Sequence, residues 1–267
     1  MSEAKLSPPL ITLTTDFGEG SRYVAAMKGV ILSINPAVRI VDLSHRIPPQ
    51  DIRSGAIALA KTAPYFPPET IHVAVVDPGV GGDRRLVYAR IGSQQFLAPD
   101  NGLLGRLAAA QPPTKIVGLD EPRFWLPQVS NTFHGRDILA PVAARLSLGL
   151  APDELGPPIE RLAQLPWPEV QRVANQLTGE VVEVDSFGNL ITNITRDMLA
   201  GVPTDESVTV ACDEHTTQGI FRTYSDQPPM TLIALVGSGG ALELAIVDDS
   251  AAAMLGVTVG TPVTVTW

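Results

Sequence analysis

Val75-Val76-Asp77-Pro78-Gly79-Val80-Gly81-Gly82-Asp83-Arg84-Arg85 is the stretch that decides the fold. The apolar run that leads into it, Ile71 to Val76, is nearly continuous rather than alternating, as a strand buried on both faces requires. It stops at an acid; a proline and three glycines then force a tight turn, and two arginines follow. Such a strand delivers a carboxylate to the rim of a sheet, where open α/β sheets bind ligands, with cations placed beside it. Ile11-Thr12-Leu13-Thr14-Thr15-Asp16-Phe17-Gly18 has the same form, an apolar strand ending in Asp and Gly. Two such endings predict a rim site lined by acids.

Outward from these strands, strand-like and helix-like stretches alternate. Helical periods are expected over 23–34, 51–61, 101–110 and 137–148, and further strands over 38–43, 86–91 and 95–97, the last two as a hairpin pair. This alternation predicts an α/β N-terminal domain, residues 1–165, with a mixed, largely parallel sheet covered by helices. Residues 166–176, in a stretch of proline, charge and tryptophan, read as a linker. Residues 177–267 then read as a smaller all-β domain. Short strands over 179–184, 190–194, 207–211, 230–236, 241–247 and 262–267 are separated by Gly, Pro, Asn and Asp, as in an antiparallel sandwich or barrel.

Composition narrows the function classes. The chain has 267 residues, 45% of them hydrophobic, enough for packed cores. No apolar run reaches the roughly 18 residues of a membrane helix, and Met1 to Leu6 lack the organisation of a secretion signal. The single cysteine, Cys212, excludes an internal disulfide and fits a reducing cytoplasm. A formal charge of −9 argues against nucleic-acid or anionic-membrane partners and mildly favours a cationic small molecule.

The candidate chemistry clusters at a few places. Asp16, beside Gly18 and Gly20, could accept hydrogen bonds from vicinal hydroxyls, as acids do for ribose, or could simply cap a turn. Asp77 and Arg84 lie seven residues apart across the glycine-rich turn, so the guanidinium can fold back onto the carboxylate, either as working chemistry or as a lock on the loop. No Lys-Ser or Lys-Thr follows these glycines, which disfavours a phosphate loop. In Asn131-Thr132-Phe133-His134-Gly135-Arg136-Asp137, Thr132 or Asp137 is expected to cap the following helix and to leave His134 on a loop, placed for proton transfer or orientation. Asp16, Asp42, His45, His72, Asp77 and His134 supply metal-ligand types, but no paired His spacing or Cys cluster accompanies them, and His72 falls inside an apolar strand as a core or edge residue would. In the second half, Asp185-Ser186-Phe187-Gly188-Asn189 joins two strands as a turn, and Gly237-Ser238-Gly239-Gly240 ends another where backbone can approach a ligand. Ser238 lacks the Gly-x-Ser-x-Gly setting of a hydrolase nucleophile.

Six ordered segments together resemble one family. They are Thr14-Thr15-Asp16-Phe17-Gly18, Val41-Asp42-Leu43-Ser44-His45, Val76-Asp77-Pro78-Gly79-Val80-Gly81, Ala98-Pro99-Asp100-Asn101-Gly102-Leu103-Leu104, Thr132-Phe133-His134-Gly135-Arg136-Asp137 and Asp185-Ser186-Phe187-Gly188-Asn189. From about residue 9 to the C-terminus the chain is similar to the S-adenosyl-L-methionine hydroxide adenosyltransferases, hydrolases related to fluorinase and chlorinase.

The resemblance implies an enzyme that uses water or hydroxide to displace L-methionine from the 5′ carbon of S-adenosylmethionine, releasing adenosine. It implies that Asp77, Arg84 and His134 hold the attacking water and that Asp16 binds the ribose hydroxyls. It places Asp185 on the methionine amino group, Asn189 on adenine and Ser238 beside the methionine moiety. It further implies no cofactor beyond the substrate, no metal, and a homotrimer with sites at subunit interfaces. Some positions depart from the halogenases: Ser21 stands where they carry an acid, Gly239 where fluorinase has an arginine, and Asp77 where they carry a halide-pocket tyrosine. There is also no room between Ile91 and Pro99 for the fluorinase insertion, and this shortening together with Asp77 favours water over halide. The rival readings are a binding protein that senses S-adenosylmethionine or a nucleoside with little turnover, and a 5′-halogenase.

Overall fold

A computed structural model describes residues 8–267, so the reading made on Met1 to Leu6 lies outside the described residues. One compact unit ends at Leu165 and a second runs from Pro166 to Trp267.

The first unit contains strands β1 (Leu10–Thr15), β2 (Arg39–Ser44), β3 (Ile71–Val75), β4 (Leu86–Ile91), β5 (Gln94–Pro99) and β6 (Lys115–Gly118). They form one sheet in the order β2-β1-β3-β5-β4-β6. Neighbours from β2 to β5 are parallel, whereas β4 runs antiparallel to both β5 and β6, so the sheet is mixed. Every residue of β3 and β5 is buried, which explains why their sequences do not alternate.

Helices α1 (Arg22–Ile34) and α4 (Ala140–Leu146) pack on one another, and their apolar faces share a core with the sheet. Ile11, Leu13, Val73 and Val75 meet Met27, Ile31, Val142 and Ala143 in that core. Helices α2 (Ile52–Thr62) and α3 (Gly105–Ala110) pack together; at Gly55 of α2 a Cβ would lie 3.0 Å from Val76 and 2.8 Å from Leu103. Ser21 caps α1 and accepts a hydrogen bond from the Tyr23 N–H at 3.2 Å, so Asp16 is not the cap of that helix.

The second unit is built from β7 (Gln171–Val173), β8 (Gln176–Val184), β9 (Leu190–Thr195), β10 (Thr209–Cys212), β11 (His215–Gln218), β12 (Leu232–Val236), β13 (Ala241–Ile246) and β14 (Pro262–Thr266), with one short helix, α5 (Ala251–Leu255). Every named pairing is antiparallel, in the order β11-β10-β14-β8-β9-β13-β12 with β7 added on β8. The two ends of that path meet: the Thr217 hydroxyl on β11 donates to the Leu232 carbonyl on β12 at 2.8 Å, leaving a nearly closed barrel. Alternate residues of β8 and β14, among them Leu177, Val181, Val263 and Val265, fill its core.

Three strands differ from expectation. β6 and β11 fall where no strand was read, and β7 lies inside the expected linker and pairs with β8. The linker reading is therefore corrected: residues 171–173 are an exposed strand of the second unit, recruited by main-chain pairing rather than by apolar burial.

Candidate active site

The geometry begins at the sheet rim of the first unit. β1, β3 and β5 run parallel, so their C-terminal ends lie along one edge, with Thr15 opposite Val75 in register. Asp16 follows β1, Asp77 follows β3, and Asp100 follows β5 along this edge.

Asp77 and Arg84 form a fork. The Arg84 Nε donates to both Asp77 oxygens at 3.0 Å, and its Nη2 donates to Oδ2 at 2.6 Å. Both side chains are well buried, 12% and 6% exposed, so each charge needs the other. The same Nη2 reaches His134 Nδ1 at 2.8 Å. A guanidinium only donates, so Nδ1 must accept and the neutral ring carries its proton on Nε2. Burial pushes the His134 pKa below its ordinary value and the Arg84 charge adds to that; Asp77, Asp137 and the Ser130 backbone pull the other way.

Gly81 makes the approach between these segments feasible. Its φ is +81°, and a Cβ there would stand 2.4 Å from the Asn131 carbonyl oxygen. The glycine turn thus lies directly against the loop that leads to His134.

The helix after that loop departs from expectation. His134 itself is the N-cap, and Gly135–Leu139 form a π-helical turn that runs into α4. Neither Thr132 nor Asp137 caps it. Asp137 is fully buried; its Oδ2 accepts from the Ser130 N–H at 2.9 Å and the Ser130 hydroxyl at 2.8 Å, while Arg136 Nε donates to Oδ1 at 2.5 Å. It anchors the loop before His134, a role no helical period reveals.

Asp16 Oδ2 accepts from the Gln50 N–H at 2.8 Å, Gln50 being held at a φ of +67°. Behind Asp16, the Thr15 hydroxyl pairs with His45 Nδ1 at 2.9 Å, and His45 Nε2 lies 3.0 Å from Asp42. The sequence reading quoted His45 in a motif without assigning it work; it fastens the loop that carries Asp16. His72 is wholly buried, stacked on Phe96 at 4.8 Å and bonded to Thr12, a core residue as expected.

In the second unit, Asp185, Asn189 and Ser238 line one cavity of about 900 Å³. Asp185 Oδ1 accepts from the Phe187 and Asn189 N–H groups, both at 2.9 Å, and Oδ2 accepts from the Asn189 side-chain amide at 3.0 Å. The acid therefore builds its own turn and fixes Asn189. Among the members of this cavity that the sequence reading missed are Tyr224 and Glu243, whose side chains meet at 3.2 Å. Burial together with the neighbouring Glu243 and Asp185 carboxylates pushes the Tyr224 phenol up to about 12. Glu243 left one signal, a lone acid inside the apolar run 241–247; Tyr224 left none. Among the described residues, no three His, Cys, Asp or Glu side chains are grouped to hold a metal ion, and no helix is long and apolar enough to cross a membrane.

The fold and these groups define a two-unit protein whose α/β part carries a carboxylate–guanidinium–imidazole network at a sheet rim. The chain belongs to the SAM hydroxide adenosyltransferase family: residues 11–156 match its N-terminal domain and residues 179–264 its C-terminal domain. It is 42% identical over 263 residues to a protein of Salinispora arenicola named (R)-S-adenosyl-L-methionine hydrolase, with 97% of this chain and 98% of that one covered. The solved structure of an uncharacterized conserved protein from Thermotoga maritima superposes with a TM-score of 0.91 at 33% identity, covering 96% of this chain and all of that one. A fluorinase from an Actinoplanes species is more distant, 28% identical over 215 residues, with 70% of this chain and 72% of the fluorinase covered.

Proposed function

We propose that this protein is an adenosine-forming S-adenosyl-L-methionine hydrolase that acts on the (R) sulfonium epimer named in its hydrolase relatives. The observation that carries the reading is the buried Asp77–Arg84–His134 network, set where the sheet rim offers it to a ligand. The sulfonium leaves as a neutral thioether, so departure needs neither a general acid nor a metal. What remains is to align a water in line with the carbon–sulfur bond, stabilise it and take its proton.

The sequence left open which of Asp77 and His134 accepts that proton, and the hydrogen bonds favour Asp77. His134 Nδ1 already accepts from Arg84, so the neutral ring has only its Nε2–H to offer. A carboxylate has about four acceptor positions, and Arg84 occupies three of those on Asp77. Asp77 is the base in this account, His134 and Arg84 orient the water, and Asp16 holds the ribose. A weak base suffices, because water that has bonded to carbon is a strongly acidic oxonium. Asn189 and Ser238 with Asp185 supply adenine and methionine contacts in the same account, and the fluorinase-type alternative is disfavoured by Asp77 standing where a halide pocket needs a tyrosine.

A homotrimer with sites at subunit interfaces, a cytoplasmic location and independence from metals belong to this proposal. The test is incubation of chelator-treated protein with each epimer of S-adenosylmethionine, with chromatography of the products. Equimolar adenosine and methionine from the (R) epimer are expected, and sedimentation of the same sample should give three chains. Recovery of both epimers intact would refute the activity.

A further inference from the structure

The motif Ala98-Pro99-Asp100-Asn101-Gly102 has no part in the chemistry above, yet the sheet order puts it under the catalytic loop. β3 and β4 are consecutive in the chain but not adjacent in the sheet, because β5 is inserted between them. The segment 76–85 must therefore arch over the C-terminal end of β5, across two strand spacings, or about 10 Å. Asp77 stands at one foot of this arch and Arg84 at the other, and Asp100 and Asn101 emerge from β5 between them.

Each foot is bonded to that emerging turn. The Asn101 side-chain amide donates to the Val76 carbonyl at 2.9 Å, one residue before Asp77. The Asn101 Oδ1 accepts from the Leu103 N–H at 3.2 Å, which fixes which way the amide points. At the other foot, next to Arg84, the Asp100 N–H donates to the Arg85 carbonyl at 2.9 Å. The Asp100 carboxylate, only 2% exposed, accepts from Arg85 Nη2 at 2.5 Å and Nε at 3.1 Å, and its other oxygen takes the Ala163 N–H at 2.7 Å. The turn is itself fixed in place: Gly102 has a φ of +98°, and a Cβ there would stand 2.4 Å from the Leu165 side chain.

We propose that Asp100 and Asn101 are positioning residues for hydrolysis, holding the two feet of the arch so that the Arg84 fork closes on Asp77 and still reaches His134. The inference rests on the role given above to Asp77, Arg84 and His134. A shift of about 1 Å in a positioned group can cost on the order of 100-fold in rate, so loss of either clamp should be read in kcat.

The test compares Asn101→Ala, Asn101→Asp and Asp100→Asn with the wild-type protein. Asn101→Ala should lower kcat about 10- to 100-fold with KM within about threefold, since neither residue is placed to touch the substrate. Asn101→Asp should be worse than Asn101→Ala, because it sets a carboxylate against the Val76 carbonyl; a role in filling space alone would reverse that order. Asp100→Asn should fall between wild type and Asn101→Asp. A kcat within twofold of wild type in Asn101→Ala and Asp100→Asn would overturn the proposal, as would a loss of kcat that tracks melting temperature across the set. A readout that needs no turnover is the nitrogen NMR spectrum of the His134 ring. Wild type should show the Nε2–H tautomer alone and Asn101→Asp a mixture. An unchanged ring in Asn101→Asp would overturn the inference even if the substrate assignment were wrong, and a changed ring would sustain it.

Discussion

The rim of the first unit and the cavity of the second organise carboxylates in opposite ways. Asp77 is held by a side chain, the Arg84 fork, and the same guanidinium reaches His134, 50 residues further on. Asp185 is held mainly by backbone N–H groups of its own turn, within four residues. The first arrangement couples three ionisable groups, so a change at one alters the others. The second is a rigid bracket that presents Asn189 to a cavity. In the proposed function the rim carries the chemistry and the bracket the recognition, and each can be broken separately.

The largest effect should come from Arg84→Ala. It removes every side-chain bond across the network, and turnover should fall by about 1,000-fold or more, in line with the loss of a preorganised charge donor. Because Asp77 would then be a buried charge without its partner, Arg84→Lys serves as the gentler variant; it keeps the charge but not the fork. Calorimetric binding of substrate should survive in Arg84→Lys. Loss of binding there, with kcat intact, would erase the contrast between the two regions.

Protonation breaks the same network reversibly. His134 must be neutral to accept from Arg84, and burial, helped by the Arg84 charge, pushes its pKa down from the ordinary 6.5. The expected kcat/KM profile is flat above that value and falls as pH drops through the lowered one. An acid limb centred above 6.5 would contradict a ring kept neutral by burial and the Arg84 charge.

His72 gives an effect of similar origin on stability alone. Burial pushes its pKa from 6.5 to about 4, so the unfolded chain takes a proton first. Above pH 6.5 the folded state has the full benefit. Between 6.5 and 4 it loses about 3 kcal/mol, from 1.36 kcal/mol for each pH step over which only the unfolded chain is protonated. Denaturant titrations of His72→Gln and wild type should therefore differ in pH slope across that window, with identical slopes at neutral pH.

The smallest effect is expected on the recognition side. Asn189→Ala should raise KM about 10- to 100-fold and leave kcat within tenfold, because the bracket carries no part of the charge network. A fall in kcat as deep as that of Arg84→Ala would show that the second unit takes part in the chemistry.

How much of this was legible follows from sequence range. Asp77 with Arg84 and Asp185 with Asn189 are separated by one turn each, and the glycines between them announced that turn. Both strand endings at the rim were readable because β1 and β3 are buried and apolar. The contact of Arg84 with His134 spans 50 residues and was supplied by resemblance rather than by pattern. β7 and β11 were missed because Gln171-Arg172-Val173 and His215-Thr216-Thr217-Gln218 carry almost no apolar signal; neighbouring main chain recruits them. The arch over β5 was illegible, since it depends on β5 inserting between two strands that precede it in the chain. Asp137 was misjudged as a cap because a buried acid and a capping acid look alike at a helix start.

The central claim is that water, placed by Asp77, Arg84 and His134, attacks the 5′ carbon directly. A single-turnover reaction with protein in excess, run in ¹⁸O-water and read by mass spectrometry, tests it. The account predicts adenosine carrying the heavy oxygen at its 5′ position in the first turnover. Unlabelled adenosine, with the heavy oxygen found on Asp77 after digestion, would mean that the carboxylate itself attacked the carbon and would contradict the account.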